Sequence, residues 1–301
     1  MAIVLGPNQY GKAEVRVVAV DRSSPRHTLV DLNVSSSLRG DFAAAHTAGD
    51  NAHVLTTDAQ KNTVFAFARD GVGSPEQFGL RLATHFAGSF DWITGARVAV
   101  ESYGWERISV AGAEHDHAFR RAGGEVRTAV VTVDGDDVHV LAGLSDLVVL
   151  KTTGSEFWGY PVDRYTTLPE TRDRILATAV TARWRYTGTD VDFDATFAGV
   201  RTALLETFAS THSFALQQSL FAMGEAVLER CPDVAEIRMS MPNRHHFLQD
   251  LSAFGLDNSL DGDGAVVYHA DDRPYGLIEG TVLRDDVPPA ENAWQGTPGF
   301  C

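Results

Sequence analysis

Lysine is scarce in this chain, so each lysine invites a chemical explanation. The sequence contains three lysines, Lys12, Lys61 and Lys151, beside 22 arginines. A lysine ammonium can lose its proton when it is withdrawn from water, whereas arginine stays charged. Lys12 follows Tyr10-Gly11 immediately before a predicted strand, and we expect it to be the functional one. For any single lysine, chance is an equally good explanation.

A second polar block lies where a strand end runs into a helix. It consists of Leu55-Thr56-Thr57-Asp58-Ala59-Gln60-Lys61-Asn62. A threonine or aspartate at this position can cap a helix N-terminus by accepting a backbone N–H. Capping is therefore the simpler interpretation, and a role in chemistry is the alternative.

Aromatic and polar residues follow predicted strands in the second half of the chain. Phe157 lies in an aromatic cluster that could stack on a planar ring or merely close a domain edge. Arg174 could bind an anion or form an ordinary ion pair on a helix face. Pro242 ends strand pairing, so that Asn243 and His245 would project from the edge of a strand.

The sequence carries no recognisable cofactor signature. His115-Asp116-His117 could place two imidazoles on one side of a strand, but a metal site needs a third or fourth ligand. A loop with hydrogen-bonding histidines is the interpretation that we prefer. The chain has neither a glycine-rich nucleotide loop nor a serine or cysteine nucleophile motif. We therefore expect no metal and no cofactor, so that in an enzyme the substrate itself must supply the chemistry.

The periodicity of apolar residues indicates the elements that position these blocks. Period-two alternation predicts strands, and apolar residues three or four apart predict helices. The order strand, strand, helix, helix, strand, strand occurs twice, which is typical of an antiparallel sheet with helices on one face. The predicted strands are Glu14–Val20, His27–Ser35, Ala96–Glu101, Glu125–Val133, Val138–Leu150, Ala179–Tyr186, Val234–Met241 and Tyr275–Leu283. The predicted helices are Thr57–Arg69, one that begins at Ser74-Pro75, and two that include Phe193–Phe208 and Leu216–Val227.

The charge of the chain argues against several classes of partner. With 25 basic and 40 acidic residues the net charge is −15, which disfavours nucleic acid and anionic membrane surfaces. The apolar runs are too short for a membrane-spanning helix, and the first residues do not resemble a signal peptide. Two cysteines, Cys231 and Cys301, cannot form a disulfide framework, so we expect a cytoplasmic protein.

Considered together and in chain order, these blocks resemble the urate oxidase (uricase) family. The resemblance runs from about residue 10 to residue 285. It rests on Tyr10-Gly11-Lys12, Thr57-Asp58 with Lys61-Asn62, Phe157-Trp158-Gly159, Tyr165-Thr166-Thr167-Leu168 with Asp173-Arg174, Gln217, and Pro242-Asn243-Arg244-His245. It implies an α+β fold of two tandem ββααββ tunnelling-fold modules that assemble into a barrel-like homotetramer. We accordingly expect modules at residues 1–136 and 137–286 and a flexible C-terminal tail at 287–301.

The resemblance also implies a reaction, in which O2 and water oxidise urate to 5-hydroxyisourate and hydrogen peroxide without a cofactor. Thr57 would relay protons to the base Lys12, and His245 would complete the relay. Asn243 and Thr57 would hold dioxygen and later the attacking water. The residues that would bind urate are Thr57, Asp58, Phe157, Arg174, Leu216, Gln217 and Asn243. The family more often has valine in place of Leu216, which leaves a backbone contact at that position untouched.

The resemblance also implies that each active site is shared between two subunits. Lys12, Thr57 and Asp58 would come from one subunit and the other site residues from its neighbour. The chain ends Gly299-Phe300-Cys301 rather than in a peroxisomal tripeptide, which favours a bacterial, cytoplasmic enzyme. Two alternatives stay open: another tunnelling-fold enzyme that acts on a pterin or purine ring, some of which use zinc, and a non-catalytic purine-binding oligomer.

Overall fold

Antiparallel strands dominate the structure, a computed structural model that describes residues 1–259 and 265–297. In this part of the chain eight strands form one sheet in the order β1-β2-β3-β4-β5-β6-β7-β10, and β8 and β9 form a separate hairpin. The strands are β1 (Tyr10–Asp21), β2 (Thr28–Gly40), β3 (Ile93–Val110), β4 (Ala113–Asp134), β5 (Asp137–Lys151), β6 (Leu176–Tyr186), β7 (Val234–Pro242), β8 (His245–Leu248), β9 (Tyr268–Asp271) and β10 (Leu277–Leu283).

The helices pack on the sheet through apolar faces that the sequence predicts. They are α1 (Ala43–Ala48), α2 (Thr57–Arg69), α3 (Pro75–Gly88), α4 (Phe193–Ser210) and α5 (Leu216–Arg230). Helix α3 begins at a capping box, because the Gln77 amide donates to the Ser74 hydroxyl and the Ser74 amide donates to Gln77 Oε1. Its apolar residues Phe78, Leu82 and Phe86 are fully buried. No helix of the described residues is long and apolar enough to cross a membrane.

The predicted α+β fold with a repeated order of elements is confirmed. The first repeat is β1-β2-α2-α3-β3-β4 and the second is β5-β6-α4-α5-β7-β10, with α1 and the β8–β9 hairpin as additions that the sequence did not predict. The predicted division between residues 136 and 137 falls in the turn that joins β4 to β5. These two strands pair along their length, from Asp134 with Asp137 to Val126 with Ser145. Both repeats therefore belong to one continuous sheet.

A buried ion pair joins the helices of the two repeats. Arg127 on β4 donates from Nη2 to Glu76 Oε2 in α3 at 2.7 Å and from Nη1 to Asp194 Oδ1 in α4 at 2.6 Å. Glu76 is fully buried, and its burial raises the pKa of the carboxyl group despite the neighbouring guanidinium. This contact fixes α3 and α4 relative to the same strand.

β3 and β4 extend beyond the predicted strands and form a two-stranded arm. β2 pairs with β3 as far as Ser102, whereas β3 and β4 pair on to Val110. His115 and His117 lie on this arm with ring centroids 4.5 Å apart, so our expectation of a loop was wrong. Charged residues interrupt the apolar alternation of the arm, which hid it in the sequence. Within residues 1–259 and 265–297, no three or more His, Cys, Asp or Glu residues are grouped to hold a metal ion.

The end of the described chain packs against the sheet. Ala293 and Trp294 are buried together with Leu141 of β5. Trp294 Nε1 and Arg185 Nε each donate to Glu236 Oε1 at 2.8 Å. The burial of the indole anchors this segment to the sheet, and the flexible tail expected over 287–301 stays a prediction. Residues 298–301, which include Cys301, lie outside the described part of the chain.

Candidate active site

Lys12 lies on β1 at a point where the backbones of two strands approach closely. Lys12 pairs with Ser36 of β2, and the neighbouring Gly11 leaves no room for a side chain. A Cβ atom on Gly11 would come within 1.8 Å of the Ser36 carbonyl oxygen. The β1–β2 register shifts directly after Lys12, where Glu14 has a φ of 57°. The close approach of the two backbones explains why glycine precedes the lysine. A bulge of this kind also changes the direction of the side chains beside it.

The first turn of α2 is held beside the strand pair that carries Lys12. The buried Gln60 of α2 accepts a hydrogen bond from the Ser36 hydroxyl at 2.8 Å and donates to the Leu55 carbonyl at 3.3 Å. Thr57 is the first residue of this helix and is exposed to solvent. Lys12 is near enough for its charge to lower the pKa of Asp58 on the same turn. Lys12, Thr57 and Asp58 therefore form one group, which we call the lysine group.

The structure decides between the two interpretations of the Thr57-Asp58 block. The residue that caps α2 is Thr56, whose hydroxyl accepts from the Ala59 amide at 3.1 Å. Capping, the simpler interpretation, is therefore confirmed for Thr56 of this block, and Thr57 has no capping role. Hydrogen bonds from Lys61, at 2.6 Å, and from Asn62 hold the Asp58 carboxylate and lower its pKa.

The third lysine, Lys151, has a structural partner. Its ammonium donates to the Thr211 carbonyl at the end of α4 and lies over the Phe208 ring. Positive charge at a helix C-terminus is stabilising, so this contact accounts for the residue. Burial lowers the pKa of Lys151.

The second group of predicted residues surrounds Arg174, and we call it the arginine group. Arg174 is half-buried, and burial lowers the pKa of its guanidinium. Its Nε donates to the hydroxyl of the fully buried Ser155 at 3.1 Å. Its central carbon lies 5.1 Å from the centre of the Phe157 ring. The ring of Tyr160 stacks on Phe157 at 5.0 Å, with 22° between the planes.

The N-terminus of α5 lies beside this aromatic pair. Ser155 and Ser213 form a parallel bridge, in which the Glu156 amide donates to the Ser213 carbonyl at 2.7 Å and the Ser213 amide donates to the Gly154 carbonyl at 2.9 Å. Leu216, which is buried, and Gln217, which is exposed, begin α5. The helix has neither a capping side chain nor an acidic residue in its first turn. Its first N–H groups have no partner within the helix and favour a negatively charged ligand.

Asn243 and His245 follow β7 as the sequence predicts. The backbone N–H of Asn243 donates to the Gly276 carbonyl, and the backbone N–H of Arg244 donates to the Ala177 carbonyl, each at 2.8 Å. The backbone of this segment is therefore held on both sides. Burial of His245 lowers its pKa, and the nearby charge of Arg174 lowers it further. At neutral pH this imidazole is therefore uncharged and able to accept a proton.

The lysine and arginine groups lie far apart across the sheet. β1, which carries Lys12, is an edge strand, and five inter-strand steps separate it from β6, beside which the arginine group lies. At roughly 4.8 Å per step, the path across the sheet is about 24 Å long. A groove of about 740 Å³ beside β1 is lined by residues such as Val18, Phe65 and Val72 and by none of the predicted site residues.

Comparisons with known proteins identify the family. The sequence profile of the uricase family matches residues 8–132 and 140–279. A uricase from Arthrobacter globiformis is 57% identical over 299 residues, which cover 99% of this chain and 96% of the relative. The chain belongs to the uricase family. A uricase from Aspergillus flavus is 37% identical over 293 residues, covering 93% of this chain and 96% of that protein.

Solved uricase structures share the fold. The crystal structure of uricase from Arthrobacter globiformis matches with a TM-score of 0.93 at 56% identity, covering 98% of this chain and 100% of that one. A urate oxidase from Bacillus sp. TB-90 matches with a TM-score of 0.80 at 25% identity, covering 92% and 100%. The recognition of a uricase from short sequence blocks is thus confirmed.

Several residues that support the predicted site were missed by the sequence analysis. Ser155 and Ser213 bring Arg174 to the start of α5, and Gln60 ties α2 to the strand beside Lys12. Tyr160 covers one face of Phe157. None belongs to a periodic pattern, and a single serine or glutamine in a loop or helix gives no signal without its partner.

Proposed function

We propose that this chain oxidises urate with O2 and water, forming 5-hydroxyisourate and hydrogen peroxide without a cofactor. The observation that carries the proposal is the arginine group, in which a guanidinium, an aromatic ring and an uncapped helix N-terminus meet. Together they suit a flat, anionic heterocycle such as urate. Membership of the uricase family supports the same assignment.

Residues of the arginine group bind the substrate in this proposal. Arg174 donates two parallel hydrogen bonds to one edge of urate, because a guanidinium presents its N–H groups in a rigid fork. Gln217 offers an amide donor and acceptor to the opposite edge, beside the backbone N–H of Leu216. Phe157 stacks on the ring, and Asn243 holds dioxygen and then water above it.

Residues of the lysine group move protons. Lys12 acts as the base, Thr57 relays the proton between urate and Lys12, and the neutral His245 completes the relay. The Asp58 backbone amide contacts urate, because its carboxylate is already held by Lys61 and Asn62. Once a further proton leaves, the electron-rich ring can pass electrons to O2 directly.

The distance across the sheet favours a site shared between two copies of the chain. Both β1 and β10 are edge strands of the eight-stranded sheet, and edges of this kind are suited to pairing with another chain. We therefore propose a homotetramer in which the lysine group of one subunit meets the arginine group of its neighbour. A cytoplasmic location fits the low cysteine content and the bacterial relative.

The decisive experiment is an aerobic assay of urate disappearance coupled to peroxide release, with a strong chelator present. We expect one peroxide for each urate consumed and no loss of rate on chelation. Urate binding without oxygen uptake would identify a non-catalytic binder instead. Stoichiometric zinc in the purified protein, together with a rate that depends on it, would favour the related enzymes that act on pterin rings.

A further inference from the structure

The fully buried Ser155 accepts a hydrogen bond from Nε of Arg174, whose guanidinium we propose to bind the substrate. A guanidinium carries one N–H on Nε and four on its two terminal nitrogens, all in one plane. With the Nε hydrogen bonded to Ser155 Oγ, the plane of Arg174 is fixed and its terminal fork is left for a ligand. Phe157, whose ring lies 5.1 Å away, limits rotation on one side. The serine thus determines where the fork points.

The backbone of Ser155 is held in place without help from Arg174. The bridge between Ser155 and Ser213 fixes the backbone on either side of the serine. Ser213 donates from its hydroxyl to the Ala215 carbonyl at 3.0 Å, and Ser219 of α5 donates to Ser213 Oγ at 2.8 Å. The same short bridge therefore sets the position of Arg174 and the start of α5.

We propose that Ser155 is a positioning residue that orients Arg174 toward urate and sets its spacing from the N-terminus of α5. This inference rests on the proposed function, because it assigns the fork to urate recognition. A hydroxyl that accepts from a charged donor in a buried setting contributes more than a surface hydrogen bond. Its loss would leave the fork able to rotate away from the substrate.

A double-mutant cycle on urate binding tests the proposal. Binding is measured without oxygen, so that no turnover occurs. We expect Ser155→Ala to weaken binding about tenfold, because a hydrogen bond to a charged donor is lost. The matched background is Arg174→Lys, which keeps the charge but places a methylene where Nε was. In the Arg174→Lys background the Nε–H that bonds to Ser155 is absent, so Ser155→Ala should change urate binding less than about twofold.

Two further readouts separate positioning from general damage. Under aerobic conditions we expect Ser155→Ala to raise KM and to change kcat less than about threefold, because the proton relay lies on other residues. Ser155→Cys keeps a polar atom at this position, as a bulkier and weaker acceptor, and should give an intermediate KM. If Ser155→Ala fails to fold, the cycle is run with Ser155→Cys under the same criterion.

The outcomes are unambiguous. An equal loss of affinity in both backgrounds, or no loss in either, would overturn the positioning role. A wild-type protein that does not consume urate and oxygen would overturn the proposed function instead, and the two failures are distinguished by the wild-type assay alone.

Discussion

The lysine group and the arginine group are built in opposite ways. Arg174 is tied to a fully buried serine, flanked by stacked rings, and joined through a backbone bridge to α5. Thr57 is exposed, and the carboxylate of Asp58 is 68% exposed. The arginine group is thus preorganised within one chain, whereas in the assembly that we propose the exposed lysine group is completed by a neighbouring subunit. In the function that we propose, recognition is therefore built into the subunit, and proton transfer depends on assembly.

The largest effect that we expect comes from removing the functional side-chain groups of Lys12 and Thr57. The double variant Lys12→Met, Thr57→Ala should lower kcat by about 10³-fold, because general base catalysis is lost. Anaerobic urate binding should fall far less, since Arg174 and Phe157 are intact. Stopped-flow turnover and anaerobic titration measure the two quantities. A kcat near the wild-type value would show that the base lies elsewhere.

A mixing experiment sharpens the comparison, because the two groups are proposed to come from different subunits. Assayed at urate concentrations well below the wild-type KM, Lys12→Met and Arg174→Lys chains are each expected to be strongly impaired, and they damage opposite halves of the site. Co-expressed in equal amounts, they should recover about a quarter of the wild-type sites, as random pairing through a two-fold interface requires. Separately purified variants that are mixed without exchange serve as the control. Absence of any recovery in verified mixed oligomers would place both groups within one subunit's site.

Arg174→Lys alone should raise KM for urate roughly 30-fold, because an ammonium cannot reproduce the two-pronged contact of the guanidinium. The kcat at saturating urate should change less than KM, since the lysine group is untouched. Steady-state kinetics over a wide range of urate concentration measure both. Phe157→Leu is a useful companion, because it removes stacking and leaves the fork in place. A KM unaffected by Arg174→Lys would remove the arginine from recognition.

The smallest effect that we expect concerns how kcat/KM depends on pH through His245. Burial and then Arg174 lower the pKa of His245 from its ordinary value of 6.5, while Asp271 opposes and His246 reinforces the shift. The neutral, proton-accepting form therefore persists at neutral pH and is lost only as the pH falls below that value. We expect the wild-type kcat/KM to decline on this acid side and His245→Gln to lack that decline. Urate also titrates, but it does so equally in both enzymes, so a difference between their profiles reports on the histidine. Identical profiles would contradict the relay role.

The sequence predicted most of the sheet because β1 and β2 bury alternate residues and β6 is an apolar run. β5 and β6 and the helices α2 and α3 lie close to where periodicity and the Ser74 cap placed them. The β3–β4 arm was missed because its charged residues interrupt the alternation. The β8–β9 hairpin pairs only four residues on each strand, among them His245 with Asp271, which is too short for a periodic signal.

The residues of the candidate site also fall into those that the sequence could predict and those that it could not. Chemical residues such as Lys12, Arg174 and His245 could be proposed from their types and from the family resemblance. The supporting residues could not, because their importance lies in pairs that are distant in sequence. Ser155 meets Ser213 across 58 positions, and Ser36 meets Gln60 across 24. Only folded coordinates show which serine faces a partner.

The packing of Trp294 makes the two ends of the polypeptide unequal for anyone who wishes to label or immobilise the enzyme. Residues Met1–Gly6 are exposed on the single chain, so an affinity tag attached there displaces no buried side chain of the subunit. The indole of Trp294 instead closes over Glu236 and Leu141. A bulky fusion attached shortly after Trp294 would disturb this packing. We expect its melting temperature to be lower than that of a protein tagged at its amino terminus.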